Sequence, residues 1–249
     1  DVDQRKIDGL ENSFFRKIAQ SLYEKTYDLE YRVQTYEPYR EINDLATEMK
    51  TSGYNPFENP TGIYFKDGEE AVVILGNTNG EQVNLKVYDF DAIRQGQRTP
   101  DPTSYPLSEG INKLRIAHGG LSYIEYYTPN WKTAPALKLH IASGKVNGYY
   151  DKHRDVSADW REILNKATYG CIDIKGDRVN LVFGVNSIKT YCDNLGKLIQ
   201  NYDDIVELEH ELMGLDKWGR RPKNHMFARV TKDGLFADGW GAGWYEGCM

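Results

Sequence analysis

The 249-residue sequence holds only three cysteines, Cys171, Cys192 and Cys248. An odd number cannot close into a complete disulfide framework, and no Cys-x-x-Cys spacing points to zinc or redox chemistry. Positive charge is not in surplus: 31 basic residues face 37 acidic ones, a net charge of −6. Such a chain lacks the field that gathers polyphosphates, which excludes nucleic acid and anionic lipid surfaces as main partners. No apolar run approaches the roughly 18–20 residues that a membrane-spanning helix needs. A Gly-x-Ser-x-Gly elbow and a phosphate-binding glycine loop are missing too. The run Gly239-Trp240-Gly241-Ala242-Gly243-Trp244 is glycine-rich, yet it follows a strand pattern without a helix behind it, a weak phosphate signal. The sequence begins at Asp1 rather than Met, so a preceding segment is expected to have been removed.

What is present describes a folded protein. Hydrophobic residues make up 40% of the chain and charged residues 27%, enough for a real core in one large domain or two modest ones. Tyrosine occurs 18 times. Its apolar body and polar tip suit strand packing first, and carbohydrate- or peptide-binding faces second.

Periodicity divides the chain into three textures. Residues 1–50 read as helical: Leu10, Phe14, Ile18 and Leu22 recur every four positions, widened by Phe15 and Tyr23. Asp8 and Glu11 resemble a capping box at the start of this helix. A second helix follows Pro38, with Tyr39, Ile42, Leu45 and Met49 on one face. From Thr61 to about Ile141 the period falls to two, as in Val83, Leu85, Val87 and in Leu137, Leu139, Ile141. Asp67-Gly68, Asn79-Gly80, Glu109-Gly110 and Gly119-Gly120 punctuate these runs as turns. The pattern predicts an antiparallel sandwich, with Gln95–Pro106 as a long loop. Beyond Gly144 the pattern is mixed. Ser157 is placed to cap a helix carrying Trp160, Ile163 and Ala167, and strands are predicted at Cys171–Ile174 and Val179–Phe183. A long helix spans about Asn194–Met213, with Leu195, Leu198, Ile199, Tyr202, Ile205, Val206 and Leu212 as its stripe. Two last strands, about His225–Val230 and Leu235–Trp240, are expected to pair around Lys232-Asp233-Gly234.

Few residues offer chemistry. His210-Glu211-Leu212-Met213-Gly214 falls short of the helical His-Glu-x-x-His zinc motif, because Gly214 cannot ligate. Glu209 falls inside the predicted apolar stripe between Val206 and Leu212, so it is expected to be a buried carboxylate, either held by an arginine or by backbone amides or serving a functional role. His118, His140, His153 and His225 show no ligand spacing. Trp131, Trp240 and Trp244, with the cluster Tyr123, Tyr126 and Tyr127, are candidates for stacking on sugar rings or, more simply, for core packing. These residues alone do not assemble an active site.

Four stretches carry a family resemblance. They are Tyr54-Asn55-Pro56-Phe57-Glu58-Asn59-Pro60-Thr61-Gly62-Ile63-Tyr64-Phe65, Tyr105 to Asn112, Gly144-Lys145-Val146-Asn147-Gly148-Tyr149-Tyr150-Asp151, and Tyr202 through Leu215. In order and spacing the chain resembles the N-terminal portion of the enhancin-like zinc metallopeptidases (family M-sixty), whose bacterial members attack mucin-type glycoproteins. The resemblance implies an α+β fold: a helical lead-in over 1–55, an antiparallel β-sandwich over 56–145, and the opening α/β part of a gluzincin-like catalytic domain over 146–249. In that family the zinc helix lies downstream of the stretch resembling His225–Trp244, so no catalytic residue and no metal ligand carries over. Zinc is then expected only in a longer parent protein. A strand ahead of the zinc helix commonly lines the substrate cleft in gluzincins, which makes Trp240, Gly241, Gly243, Trp244 and Tyr245 cleft candidates.

By this resemblance the chain is the non-catalytic front of a secreted or cell-surface peptidase whose partners are glycoproteins or glycans. Contact with a missing C-terminal half is also expected, and would leave an exposed apolar face on the long helix or the last strands. A glycan- or glycoprotein-binding module without enzymatic activity is the alternative, with Trp131 as its stacking residue. A scaffold without a small ligand is the third.

Overall fold

The period-two runs do become strands, and their even-spaced apolar residues define one shared core. A computed structural model describes residues 3–155 and 159–232, together with the backbone of 236–237 and 242–245. The chain opens with α1 (Gln4–Asp8), α2 (Ser13–Tyr23), α3 (Leu29–Arg32), β1 (Val33–Tyr36) and α4 (Ile42–Met49). Strands β2 (Pro60–Phe65), β3 (Glu70–Leu75) and β4 (Val83–Tyr88) follow, then the short α5 (Phe90–Arg94). Next come β5 (Thr103–Leu107), β6 (Gly110–Arg115), β7 (Gly120–Glu125), β8 (Leu137–Ile141), β9 (Lys145–Val146) and β10 (Tyr150–Asp151). The remainder comprises α6 (Trp160–Lys166), β11 (Cys171–Lys175), β12 (Val179–Gly184), α7 (Val185–Tyr191), α8 (Leu195–Leu212), β13 (Met226–Thr231), β14 (Phe236–Ala237) and β15 (Ala242–Tyr245).

Two antiparallel sheets form first, in the orders β1-β8-β3-β6 and β5-β4-β7-β2-β9. Ala71, Val73 and Leu75 of one sheet meet Ile63, Phe65, Leu85 and Val87 of the other in one apolar core. The glycine turns at 67–68, 79–80, 109–110 and 119–120 therefore carry the chain from one sheet to the other rather than closing hairpins within a sheet. Gly68, Gly80 and Gly110 hold positive φ at these turns, where a side chain would be strained.

A third sheet, β10-β11-β12-β13-β15-β14, is mixed: β11 and β12 are antiparallel, while β12–β13 and β13–β15 run parallel. Its two faces differ. Ile172, Ile174, Leu181, Phe183, Ala228 and Val230 bury against α6, α7 and α8. Cys171, Val182 and Phe227 point the other way, into an aromatic cluster with Phe57, Tyr88, Phe90, Leu121 and Tyr123 from the five-stranded sheet and its flanks. Alternation along a strand sends neighbours to opposite faces, so β11, β12 and β13 serve both cores at once.

Several expectations need correction. The 1–55 lead-in is not all helix: β1 pairs with β8 and Tyr36 enters the sheet core, because Val33–Tyr36 carries β-formers between two helical patterns. The first long helix is capped by Asn12, whose Oδ1 accepts from Phe14 N at 2.9 Å, not by an Asp8–Glu11 box. The 95–106 loop ends in β5, which takes Pro106 because it is an edge strand and its missing N–H removes no ladder bond. The cap of α6 is Asp159, accepting from Arg161 N; Ser157 lies outside the described residues. The last strands do not form a hairpin with each other: β15 sits between β13 and β14, parallel to the first and antiparallel to the second.

The stripe of α8 is also turned from its predicted position. Its buried residues are Leu195, Ile199, Asp203, Val206 and His210, whereas Ile205 and Leu212 are exposed. The cause is Asp203, which accepts hydrogen bonds from Asp177 N (2.9 Å), Arg178 N (2.7 Å) and Lys152 Nζ (2.9 Å) and so clamps the β11–β12 turn against the helix. Gly176 is required there, since a Cβ would stand 2.5 Å from Asp203 Oδ1. Turning the helix to serve this clamp puts Glu209 on the exposed side, so it is not the buried carboxylate expected of it.

Candidate functional site

The most conspicuous polar groups lie where the third sheet meets the other two. Asn55 Oδ1 accepts from Phe57 N at 2.8 Å, and this turn drives Phe57 into the aromatic cluster and Glu58 beside it. Glu58 is fully buried. Its Oε1 accepts from His225 N (2.7 Å), and its Oε2 lies 2.7 Å from His225 Nδ1 and accepts from Asn180 Nδ2 at 3.2 Å. Nearby, Tyr123 OH donates to Asp173 Oδ1 at 2.6 Å, while Asp173 Oδ2 is buried with no partner among the described residues. Burial pushes the Asp173 carboxyl up to about 7, against the opposing pull of the Tyr123 hydroxyl. A histidine–carboxylate pair sealed in this way cannot reach a substrate. It fastens the start of β13 to the loop ahead of β2.

The resemblance-bearing stretches supply other such joints. Asn147 Oδ1 accepts from Thr168 N (2.9 Å) and Tyr169 N (2.8 Å), and its Nδ2 donates to Cys171 O at 3.0 Å. Gly144, at φ +74°, packs so closely that a Cβ would approach Ile63 Cγ2 to 2.6 Å.

An accessible site of different character surrounds Trp131. The turn at Thr128–Ala134, closed by Thr133 N and Ala134 N donating to Asn130 O at 2.8 Å, presents a half-buried indole. Opposite it stands the loop Gly219-Arg220-Arg221-Pro222, and α4 with its approach adds Arg40, Asp44 and Glu48, enclosing a groove of about 570 Å³. Lys132 Nζ lies 5.2 Å from the centre of the Trp131 ring. The guanidinium groups are held in place: Arg40 pairs with Glu48 at 2.6 Å, and Arg221 bridges Glu207 and Asp216. Hydrogen bonds from Arg221 and Arg178 hold the Glu207 carboxyl below its usual range. His210, buried behind this loop, is pushed down by burial and by the Arg221 and Arg178 charges, which leaves the imidazole neutral near pH 7. One aromatic face ringed by fixed, planar polar groups suits stacking on a sugar ring and hydrogen bonding to its hydroxyls.

The other predicted site residues scatter. Tyr123 and Tyr126 are core residues with hydroxyls bonded to Asp173 and Pro135 O, and Tyr127 OH donates to Asn55 O; none is a stacking platform. Gly243, Trp244 and Tyr245 lie on β15, where Gly243 is paired on both sides, so the outer edge here belongs to Phe236–Ala237. Trp240 and Gly241 lie outside the described residues. Arg40, Glu48, Arg220 and Arg221 complete the Trp131 groove and were not anticipated. The Arg-Arg-Pro loop was visible as a loop, but no local pattern brings it to residue 131 across some ninety positions of sequence.

The fit of zinc to this chain can be judged from the helix itself. His210 has Gly214 one turn on, its Nδ1 is buried without a partner among the described residues, and Glu211 points outward. Among the described residues no group of three or more His, Cys, Asp or Glu side chains is placed to hold a metal ion. The described residues around His210 do not make a ligand set for a zinc ion.

Residues 29–141 match the family model described as the N-terminal domain of M60-like peptidases. The chain as a whole is similar to a metallopeptidase from Bacteroides thetaiotaomicron, with a TM-score of 0.86 and 29% identity over 99% of this chain and 43% of that one. A metallopeptidase solved in complex with Tn antigen gives 0.80 and 28% identity, over 90% of this chain and 43% of that one. The M60 catalytic domain of Clostridium perfringens ZmpC, solved in complex with the sialyl T antigen, shares the fold at 0.70 and 15% identity, over 87% and 48%. The chain thus spans less than half the length of these solved relatives. Among curated proteins none matches significantly.

Proposed function

We propose that this chain is the non-catalytic N-terminal portion of a zinc metallopeptidase that acts on mucin-type glycoproteins, in the secreted or cell-surface compartment. The observation that carries this reading is the likeness to a metallopeptidase over 99% of this chain and only 43% of the other. On this reading the two antiparallel sheets are a β-sandwich built mainly from 56–145, to which β1 of the 1–55 lead-in adds one edge strand. Residues 146–249 open a gluzincin-like catalytic domain, and zinc is held by residues of the longer parent. The segment Trp240–Tyr245, with Gly241, Gly243 and Trp244, lines the cleft. The complex of a 28% identical metallopeptidase with Tn antigen supports glycoproteins as the substrate class. Sequencing the source DNA past the Met249 codon tests the reading. An open frame encoding His-Glu-x-x-His is the expected result, and a stop codon overturns it.

The Trp131 groove favours a second reading, a glycan-binding module without enzymatic activity. Titration of the 249-residue chain with mucin glycopeptides is then expected to saturate, and Trp131→Ala to weaken binding at least about tenfold by removing the stacking face. A flat titration with the unaltered chain rejects this reading.

A further inference from the structure

Turning α8 to bury Asp203 and His210 has left an apolar stripe on its opposite side. Ile205 is 53% exposed, Leu208 59% and Leu212 88%. Spaced three and four apart, they share one face of the helix. Isolated exposed leucines are ordinary, but an aligned stripe on an 18-residue helix is the pattern of a helix with a neighbour on each side.

The rim of the stripe says what kind of neighbour. From Asp203 to Met213 the sequence has five carboxylates and no lysine or arginine. Two of these are already engaged: Asp203 holds Lys152, and Glu207 holds Arg178 and Arg221. Asp204, Glu209 and Glu211 remain exposed beside the stripe, with Asp204 bonded to the neutral Gln200 amide. A second copy of this helix would bring these acidic rims together. A partner with lysines or arginines flanking its apolar residues would complement them.

We propose that the Ile205–Leu208–Leu212 face of α8 seats an apolar, base-flanked helix supplied by the parent polypeptide downstream of this chain. This rests on the reading of the chain as the front of a longer peptidase. The similar Bacteroides metallopeptidase, of which this chain covers 43%, has ample further chain to provide such an element.

The test places a thiol at the centre of the stripe. Leu208→Cys is made in the 249-residue chain and in the polypeptide extended through the downstream frame. Both are labelled with a maleimide, and the modified residue is located by peptide mapping, which separates the introduced thiol from Cys171, Cys192 and Cys248. In the 249-residue chain the introduced thiol is expected to react at the rate of a free thiol whatever the protein concentration. In the extended polypeptide it is expected to react at least about tenfold more slowly. Equal rates overturn the proposal even if the extended protein cleaves glycopeptides, so the parent reading survives its failure. Protection that grows with concentration in the 249-residue chain assigns the face to a second copy and overturns the proposal. A stop codon directly after Met249 overturns both. As a second measurement, Leu208→Asp is expected to lower the Tm of the extended polypeptide and leave that of the 249-residue chain unchanged; equal shifts in both count against docking.

Discussion

The five-stranded sheet has two faces, and they are held by different chemistry. Toward the four-stranded sheet it presents Ile63, Phe65, Leu85, Val87 and Ile124, packed on Val73, Leu139 and Ile141 in a core that is almost wholly hydrocarbon. Toward the mixed sheet it meets an aromatic cluster around Phe57, bordered by Glu58, His225, Asn180 and Asp173, all buried. Among the described residues, buried atoms without partners gather at this second contact: Tyr54 OH, Asn55 Nδ2, Asn180 Oδ1, Asp173 Oδ2 and Asn224 Oδ1. Hydrocarbon burial is non-directional, so by itself it specifies the placement of one layer on another less sharply than hydrogen bonds do. A polar contact is satisfied in one placement only. The comparison teaches that the first contact supplies cohesion and the second fixes where the mixed sheet sits.

Changes at the two contacts are expected to differ in size, and the largest effect belongs to the polar one. Glu58→Ala removes the acceptors for His225 N, His225 Nδ1 and Asn180, and is expected to cost about 3–5 kcal/mol in urea unfolding, since buried partners are stranded. Asp173→Asn is expected to stabilise instead, in a pH-dependent way. The folded carboxyl keeps its proton up to about 7, whereas the unfolded one loses it near the usual value of 3.8. The unfolded state therefore holds fewer protons across that window, and stability falls as pH rises through it, by a total on the order of 4 kcal/mol. Asp173→Asn is expected to flatten this slope and to raise the Tm at pH 8. An unchanged pH profile of Tm contradicts the burial of an unpaired carboxylate oxygen.

In the hydrocarbon core, Ile63→Val deletes one methylene and is expected to cost about 0.5–1.5 kcal/mol with no pH dependence. A larger loss, or one that varies with pH, erases the contrast between the contacts. The smallest effect is expected at Glu209→Ala, within about 0.5 kcal/mol, because the exposed carboxylate serves neither contact. A loss of several kcal/mol there restores the buried carboxylate that the periodicity of α8 suggests.

Legibility in the sequence followed the same division. Alternation of Val83, Leu85 and Val87, or of Leu137, Leu139 and Ile141, reveals a strand because hydrocarbon burial is read one residue at a time. Such patterns placed the two antiparallel sheets and the ends of α8. What they missed depended on pairs distant in sequence. Asp203 lies deeper than Ile205 because it binds the turn at 176–178, and Pro106 sits in a strand because β5 happens to be an edge. β15 intervenes between β13 and β14 through a parallel crossover that no turn signal announces. At the candidate site only Trp131 was legible. The arginines around it come from two remote loops, and the Glu58–His225 pair joins residues 167 positions apart. The resemblance-bearing stretches nonetheless coincide with these joints, at Asn55–Glu58, Asn147 and Asp203, where geometry leaves least freedom of residue type.

The decisive measurement is cleavage of a mucin-type glycopeptide by two proteins side by side: the 249-residue chain, and the polypeptide extended through the downstream reading frame, each with and without a chelator. The front-portion reading predicts no cleavage by the 249-residue chain and chelator-sensitive cleavage by the extended one. Cleavage by the 249-residue chain, lost on chelation, would contradict it.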